Sequence, residues 1–260
     1  MGFTELIEVV TVFTLALPRM FAVFALVPVF SQSMLPGSAR NAVAISFCLM
    51  VFPIYGPAFE LGSVSTAMFL ALIVKEVIIG LLLGMGASLM FHAIQAMGFV
   101  IDNQRGSTMA SSVDPMTGAQ TSPLGIFMTQ VIATYFFVSG AVFLFLLILY
   151  ESYVVFPIAS FFPTLELTDT RFFLAILDKI FSLAIVLAAP ALIAMFLSEF
   201  ALGLISRFAP QLNVFFLAMP VKSAVGILLL VLYIVMLAEV WEREFAILPD
   251  HLTLLQNIFQ

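Results

Sequence analysis

The sequence predicts an all-α membrane protein with about six long apolar helices, and three observations carry that prediction. Hydrophobic residues make up 63% of the 260 and charged residues 9%, against roughly 45–50% and about 25% in soluble domains. Nine Lys+Arg and fifteen Asp+Glu cannot clothe a globule of this size, and the mean hydropathy is +1.21. Six runs reach or approach the roughly 20 apolar residues that a membrane-crossing helix needs, and none alternates as a barrel strand does.

Taken in order, the runs are Val9–Phe30, Ala39–Ala58, Thr66–His92, Ile126–Tyr150, Phe172–Leu197 and Phe215–Val240. The first contains Pro18 and Pro28, the second Pro53, the fifth Pro190 and the sixth Pro220. Each proline removes a backbone donor and bends its helix unless neighbours satisfy the freed carbonyl. The third holds Gly80-x3-Gly84 with Gly86 and Ala87, a spacing that lets helix backbones approach closely and reads as packing. Between the fourth and fifth, Tyr153–Phe162 is too short to span and carries Pro157, with Pro163 next, so it reads as interfacial or re-entrant. The tail Glu242–Phe259 mixes charged and apolar residues, as an amphipathic helix at a surface or partner does. The N-terminus lacks a basic segment and a small-residue cleavage site, so no cleaved signal peptide is expected.

Ionisable residues lie in or beside these runs: Arg19, Lys75, Glu76, Asp178, Lys179, Glu199 and Lys222. A charge at the bilayer centre costs about 2.5–3.5 kcal/mol on insertion scales, so such groups face protein or a water-filled path. Glu76, Glu199, Arg207 and Lys222 suit either a proton or ion relay or interhelical salt bridges that hold an assembly, and the second is the simpler reading. Loop Lys/Arg counts tie, with Arg40, Arg105 and Arg207 on one side against Arg171, Lys179 and Arg243 on the other. Orientation therefore cannot be read from charge bias.

Residues 93–124 interrupt the apolar pattern. Ile94, Met97 and Ile101 continue a helix, Asp102 and Arg105 stand three apart on one face, and Gly106 is a helix stop. The stretch Gly106–Ser122 then has seven Ser/Thr in seventeen residues, with an Asp114–Pro115 turn signal. A loop this long is commonly functional or disordered. Its composition suits a moving, adaptable segment, with Met109 and Met116 as soft contacts, or else a solvated connection between helices.

No catalytic, nucleotide-binding or metal-binding motif is present. His92 and His251 are isolated, and Cys48 is the only cysteine, so neither a disulfide nor a cysteine metal cluster is expected. The formal charge of −6 is diluted over long uncharged runs and no basic patch suits nucleic acid. Neither an enzyme nor a cofactor is expected. Midplane charges on bent helices also suit a secondary transporter, although no two equivalent halves are visible.

Two segments carry more than composition. One is Ile101-Asp-Asn-Gln-Arg-Gly106, continuing through Met109-Ala-Ser-Ser-Val-Asp-Pro115 and Gln120-Thr-Ser-Pro123. The other is Leu197-Ser-Glu-Phe, then Leu204-Ile-Ser-Arg-Phe-Ala-Pro-Gln-Leu-Asn213 and Pro220-Val-Lys-Ser223. With Pro18-Arg19 and the Pro36–Arg40 turn, they closely resemble the FliR/SctT family of flagellar and type III secretion export apparatus, in its injectisome (YscT-like) branch. The match runs nearly the whole chain, up to a tail from about residue 243.

The resemblance implies one export-apparatus subunit. Its residues 1–150 are SctR/FliP-like, 172–240 form an SctS/FliQ-like hairpin, and 241–260 are a C-terminal tail. Bent hairpins would assemble with SctR/FliP-type and SctS/FliQ-type subunits, and an SctU/FlhB-type switch protein, into a helical export-gate cone in the bacterial inner membrane. Unfolded secreted proteins would pass through it. The loop would be the plug of that channel, formed by Gly106, Ser107, Thr108, Met109, Ser111, Ser112, Asp114, Pro115, Met116 and Gly118 within residues 106–122. Asp102, Asn103, Gln104 and Arg105 would anchor its start, and Glu199, Arg207, Gln211, Asn213 and Lys222 would contact neighbouring subunits.

Overall fold

Most helix ends fall at a proline or a glycine. The computed structural model describes residues 3–31, 34–51, 65–107, 122–159, 170–209, 211 and 213–247. Among them are seven α-helices and no strand: α1 (Phe3–Leu26), α2 (Gly37–Leu49), α3 (Thr66–Arg105), α4 (Pro123–Val138), α5 (Ala141–Val155), α6 (Thr170–Phe208) and α7 (Val214–Ala246). The chain is an all-α membrane protein.

Helix α1 stops because Pro28 disfavours helical geometry at Val27, which is extended (φ −79°, ψ 116°), and Pro28–Phe30 form a short 3-10 turn. Pro36 precedes α2 and its carbonyl accepts the Arg40 N–H at 3.0 Å. Gly106 ends α3 with φ +87°, a left-handed value that glycine adopts without strain. Pro123 opens α4 at the first helical position, where its missing N–H costs nothing.

The count of spanning helices is lower than the sequence predicts. Among the described residues, four helices are long and apolar enough to cross a membrane: α1, α3, α6 and α7. Counting α4 and α5 as one bent span makes five. The second predicted run yields the 13-residue α2, too short to span and ending shortly before Pro53. The fourth is broken at Ser139–Gly140, where Gly140 takes φ +78°. Three others run past their predicted ends, α3 to 40 residues, α6 to 39 and α7 to 33. Pro18, Pro190 and Pro220 stay inside helices, as expected. Pro163 and the tail beyond residue 247 lie outside the described residues.

Contacts group the chain into two compact units, one comprising Met1–Leu89, Ser139–Phe173 and Phe245–Gln260, the other Met90–Val138 and Leu174–Glu244. In the first, the core is aromatic. Phe24 stacks on Phe30 at 4.1 Å between centroids and meets Phe47 edge-on at 6.1 Å, while Phe145 lies 5.9 Å from Phe30. Gly80 and Gly84 do the packing their spacing suggests. A Cβ on Gly80 would stand 2.5 Å from the Arg19 carbonyl oxygen, and one on Gly84 3.1 Å from Leu26. At Gly80 this is an approach of α1 and α3 that only glycine permits, and at Gly84 a side chain would push Leu26 aside.

In the second unit Ile94, Met97 and Ile101, on one face of the helix their spacing predicts, are all buried. Phe91 packs edge-on against Phe136 at 5.6 Å. A Cβ on Gly98 would lie 2.5 Å from Gly125 Cα, so α3 and α4 touch backbone to backbone. Tyr233 donates its hydroxyl to the Leu187 carbonyl at 3.1 Å, beside the carbonyl that Pro190 leaves without its helical donor. Lys179 bridges Glu244 at 2.6 Å, joining the start of α6 to the end of α7.

Candidate functional site

Residues on either side of the predicted loop meet at a single carboxylate. Asp102, in the last turn of α3, is buried and pairs with Arg105 at 2.7 Å, the partner its i, i+3 spacing predicts. Its other oxygen turns to the far end of the loop. Oδ2 accepts a hydrogen bond from Ser122 Oγ at 2.6 Å and another from the Leu124 N–H at 3.0 Å. Ser122 in turn accepts the Gly125 N–H at 2.9 Å, the usual role of a serine N-cap.

These bonds serve two purposes. They occupy first-turn donors of α4 that no helical carbonyl can reach, and the negative charge sits at the favourable end of the helix dipole. They also tie the residue before the loop to the residues after it. Gly98 and Gly125 allow the approach, since a side chain at either would force the helices apart. The Gly106 turn packs its Cα side against Met219, whose side chain a Cβ there would meet at 3.5 Å.

Of the predicted loop-start residues, Asp102 and Arg105 thus hold the clamp, Asn103 is exposed and offers its carbonyl to the Gly106 N–H at 3.1 Å, and Gln104 is half-buried. Of the predicted plug, Gly106 and Ser107 are described, both half-buried at the end of α3. Thr108, Met109, Ser111, Ser112, Asp114, Pro115, Met116 and Gly118 lie outside the described residues. Sequence reading missed Ser122 as the far half of the clamp. The serine directly before Pro123 was the available signal, because Ser–Pro is a strong helix start.

A second polar cluster lies in the other unit. Arg19 and Glu76 are both fully buried and meet at 2.7 Å. Lys75 stands 3.0 Å from the second Glu76 oxygen. Two cations therefore face one carboxylate. The remaining positive charge is met by the C-terminal end of α5, where the dipole is negative. Arg19 donates to Ser152 Oγ at 3.1 Å and the Phe156 carbonyl at 2.9 Å, and Lys75 donates to the Pro157 and Ile158 carbonyls at 2.7 and 3.1 Å. Tyr153 stacks beneath the guanidinium at 4.1 Å, and its hydroxyl donates to the Ala16 carbonyl at 2.9 Å. The cluster pins α1, α3 and α5 together.

The predicted subunit-contact residues divide. Lys222 bridges Glu199 at 3.1 Å between α6 and α7, yet the Glu199 side chain remains 48% exposed. Arg207 is exposed in the last turn of α6, favourably placed against the helix dipole. Gln211 and Asn213 are exposed in the connection that follows. Of the four charges named for a relay, Glu76 is paired with Arg19 and Lys75 in one unit, and Glu199 with Lys222 in the other.

Apolar side chains stay uncovered beyond what a protein surface in water carries. Phe181, Phe196, Phe200, Phe208, Phe215 and Phe216 on α6 and α7 are all exposed. The most apolar windows of these two helices are 28% and 22% buried, against 44% in α1 and α3. Surfaces of this kind face lipid or other protein.

Comparison with known proteins agrees with the residue-level resemblance. The family model described as bacterial export proteins, family 1, matches residues 10–248. The chain is 45% identical over 251 residues, 95% of each chain, to the Yop proteins translocation protein T of Yersinia pestis. It is 34% identical over 233 residues, 88% of this chain and 85% of the relative, to the surface presentation of antigens protein SpaR of Salmonella typhimurium. It is 29% identical over 246 residues, 94% of this chain and 93% of the relative, to the flagellar biosynthetic protein FliR of Bacillus subtilis.

Proposed function

Because the chain belongs to the bacterial export proteins of family 1, the FliR/SctT family, we propose that it is a non-enzymatic subunit of a type III secretion export gate. It sits in the bacterial inner membrane with SctR/FliP-type and SctS/FliQ-type subunits and an SctU/FlhB-type switch protein. Unfolded proteins pass through the channel they form together.

The observation that carries this reading is the apolar surface left uncovered on α6 and α7. A lipid-facing helix has no use for a half-exposed carboxylate such as Glu199 among those side chains, because a charge facing lipid is costly. A neighbouring helical subunit accounts for both the apolar area and the carboxylate. Glu199, Arg207, Gln211, Asn213 and Lys222 then supply polar contacts at that boundary. Residues 106–122 act as the plug. The Asp102 clamp supports this role, since it holds both ends of the segment at one point and leaves a small-residue chain between them that can yield to varied cargo.

Native mass spectrometry of the chain coexpressed with R- and S-type partners tests the reading. A discrete hetero-oligomer containing one copy of this chain is expected. A lone monomer or symmetric homodimer in the presence of partners would instead point to a secondary transporter. For the plug, deletion of residues 108–121 is expected to leave that hetero-oligomer intact and make the membrane leaky to ions; unchanged permeability would remove the plug assignment.

A further inference from the structure

Helix α5 buries one side and leaves the other open. Phe145, Ile148, Leu149, Ser152 and Tyr153 are buried. Phe143, Leu147 and Val154 are 73%, 50% and 63% exposed. Glu151, four residues after Leu147 and three before Val154, is exposed with them. These four form one stripe, because positions three and four apart share a helix face. It runs roughly 16 Å along the axis of α5.

The carboxylate in that stripe lacks a cation. Glu76 has Arg19 and Lys75, Glu199 has Lys222 and Glu244 has Lys179, but no cation pairs with Glu151 among the described residues. Arg19 and Lys75 reach α5 and the segment after it elsewhere, at Ser152 on its buried side and at the carbonyls of Phe156, Pro157 and Ile158. Glu151 is not at a polar helix end either, since Val154, Val155, Phe156, Pro157 and Ile158 follow it. Nor does the helix compensate, because its dipole is negative toward that end.

Lipid would accept Phe143, Leu147 and Val154 and penalise the charge between them. Water would accept the charge and leave three large apolar side chains uncovered. A protein helix with one basic side chain suits all four. We propose that this stripe seats a membrane helix of a neighbouring subunit, and that a lysine or arginine of that helix pairs with Glu151. The inference rests on the reading of the chain as an export-gate subunit. Apolar area alone gives membrane helices little reason to prefer one another over lipid. A charge pair among apolar side chains selects the partner and fixes the depth at which the two helices meet.

The coexpressed complex, followed by native mass spectrometry, tests the pairing. Glu151→Gln keeps the size, strands the partner's cation and is expected to lower the yield of hetero-oligomer about tenfold or more. Glu151→Asp should retain most of it. The Gln variant alone in detergent should unfold at the parent's temperature; a lower temperature would show a role within the chain and overturn the proposal. Assembly of Glu151→Gln equal to the parent's would overturn it too, while leaving the export reading intact. Absence of any hetero-oligomer with the parent chain would remove the export reading, and this inference with it. On illumination of the complex, p-benzoylphenylalanine replacing Leu147 should crosslink to a partner chain; crosslinking to lipid instead would overturn the docking assignment. Glu151→Lys should regain assembly when a lysine or arginine near the crosslink on that partner is changed to glutamate. Failure of every such change would overturn the pairing.

Discussion

Ser122 Oγ stands 2.6 Å from Asp102 Oδ2 across twenty residues of sequence, so one buried carboxylate joins the end of α3 to the start of α4. The same carboxylate is paired with Arg105 and caps the Leu124 N–H. One side chain therefore touches both the helix that precedes the expected plug and the residues that follow it.

Replacing that carboxylate should loosen the loop before it unfolds the protein. Asp102→Ala leaves the Leu124 N–H and Arg105 without their acceptor and is expected to cost about 2 kcal/mol, the scale of a buried donor left unsatisfied. Soluble protease should then cleave within residues 108–121 faster than in the parent. Asp102→Asn, which retains one acceptor oxygen, should fall between the two. Equal cleavage rates in all three would show that the clamp does not restrain the loop.

The Arg19–Glu76 pair should show strong coupling. Either Arg19→Leu or Glu76→Leu strands buried charge and is expected to destabilise by about 3–5 kcal/mol. The double variant should cost less than the sum, by roughly 0.5–3 kcal/mol. Detergent-solubilised protein followed by thermal unfolding reads all three, and simple additivity would contradict the buried pairing.

Two glycines of α3 and α6 should respond in opposite ways. Gly80→Leu drives a side chain into the Arg19 backbone, 2.5 Å from where its Cβ would sit, and should abolish stable protein. Gly203 has nothing within 4 Å of a Cβ. Gly203→Ala should leave the isolated chain folded and can add about 0.8–1 kcal/mol of helix propensity. Expression and monodispersity in detergent distinguish them.

At the α6–α7 hairpin, Glu199→Lys should weaken the chain's copurification with its partners, and adding Lys222→Glu should recover part of it. No recovery in the double variant would place the two residues in separate roles.

Arg207 has an exposed guanidinium and no carboxylate partner among the described residues. Arg207→Glu is expected to change the chain's own stability by no more than about 0.5 kcal/mol, as at other surface positions, while reducing hetero-oligomer formation. An ion leak with assembly intact would argue for a charge-conducting role instead.

Particular residues divide what was legible in the sequence from what was not. Composition determined a membrane protein, because the chain has too little charge to face water, and the length of its apolar runs made it all-α and multi-pass. Periodicity continued the helix through Ile94, Met97 and Ile101, and local spacing found the Asp102–Arg105 pair and the Gly106 stop, since these depend on one helical turn. Motif resemblance identified the family. The break at Gly140 was not legible, because an apolar run looks the same whether its helix is straight or bent. The partners of Glu76 and Asp102 were hidden for a different reason. Arg19 is 57 residues from Glu76 and Ser122 is 20 from Asp102, and burial demands that a charge be paired without saying by whom. Only the packing of α1 on α3, and of α3 on α4, made through glycines that bring the backbones together, decided which side chains meet.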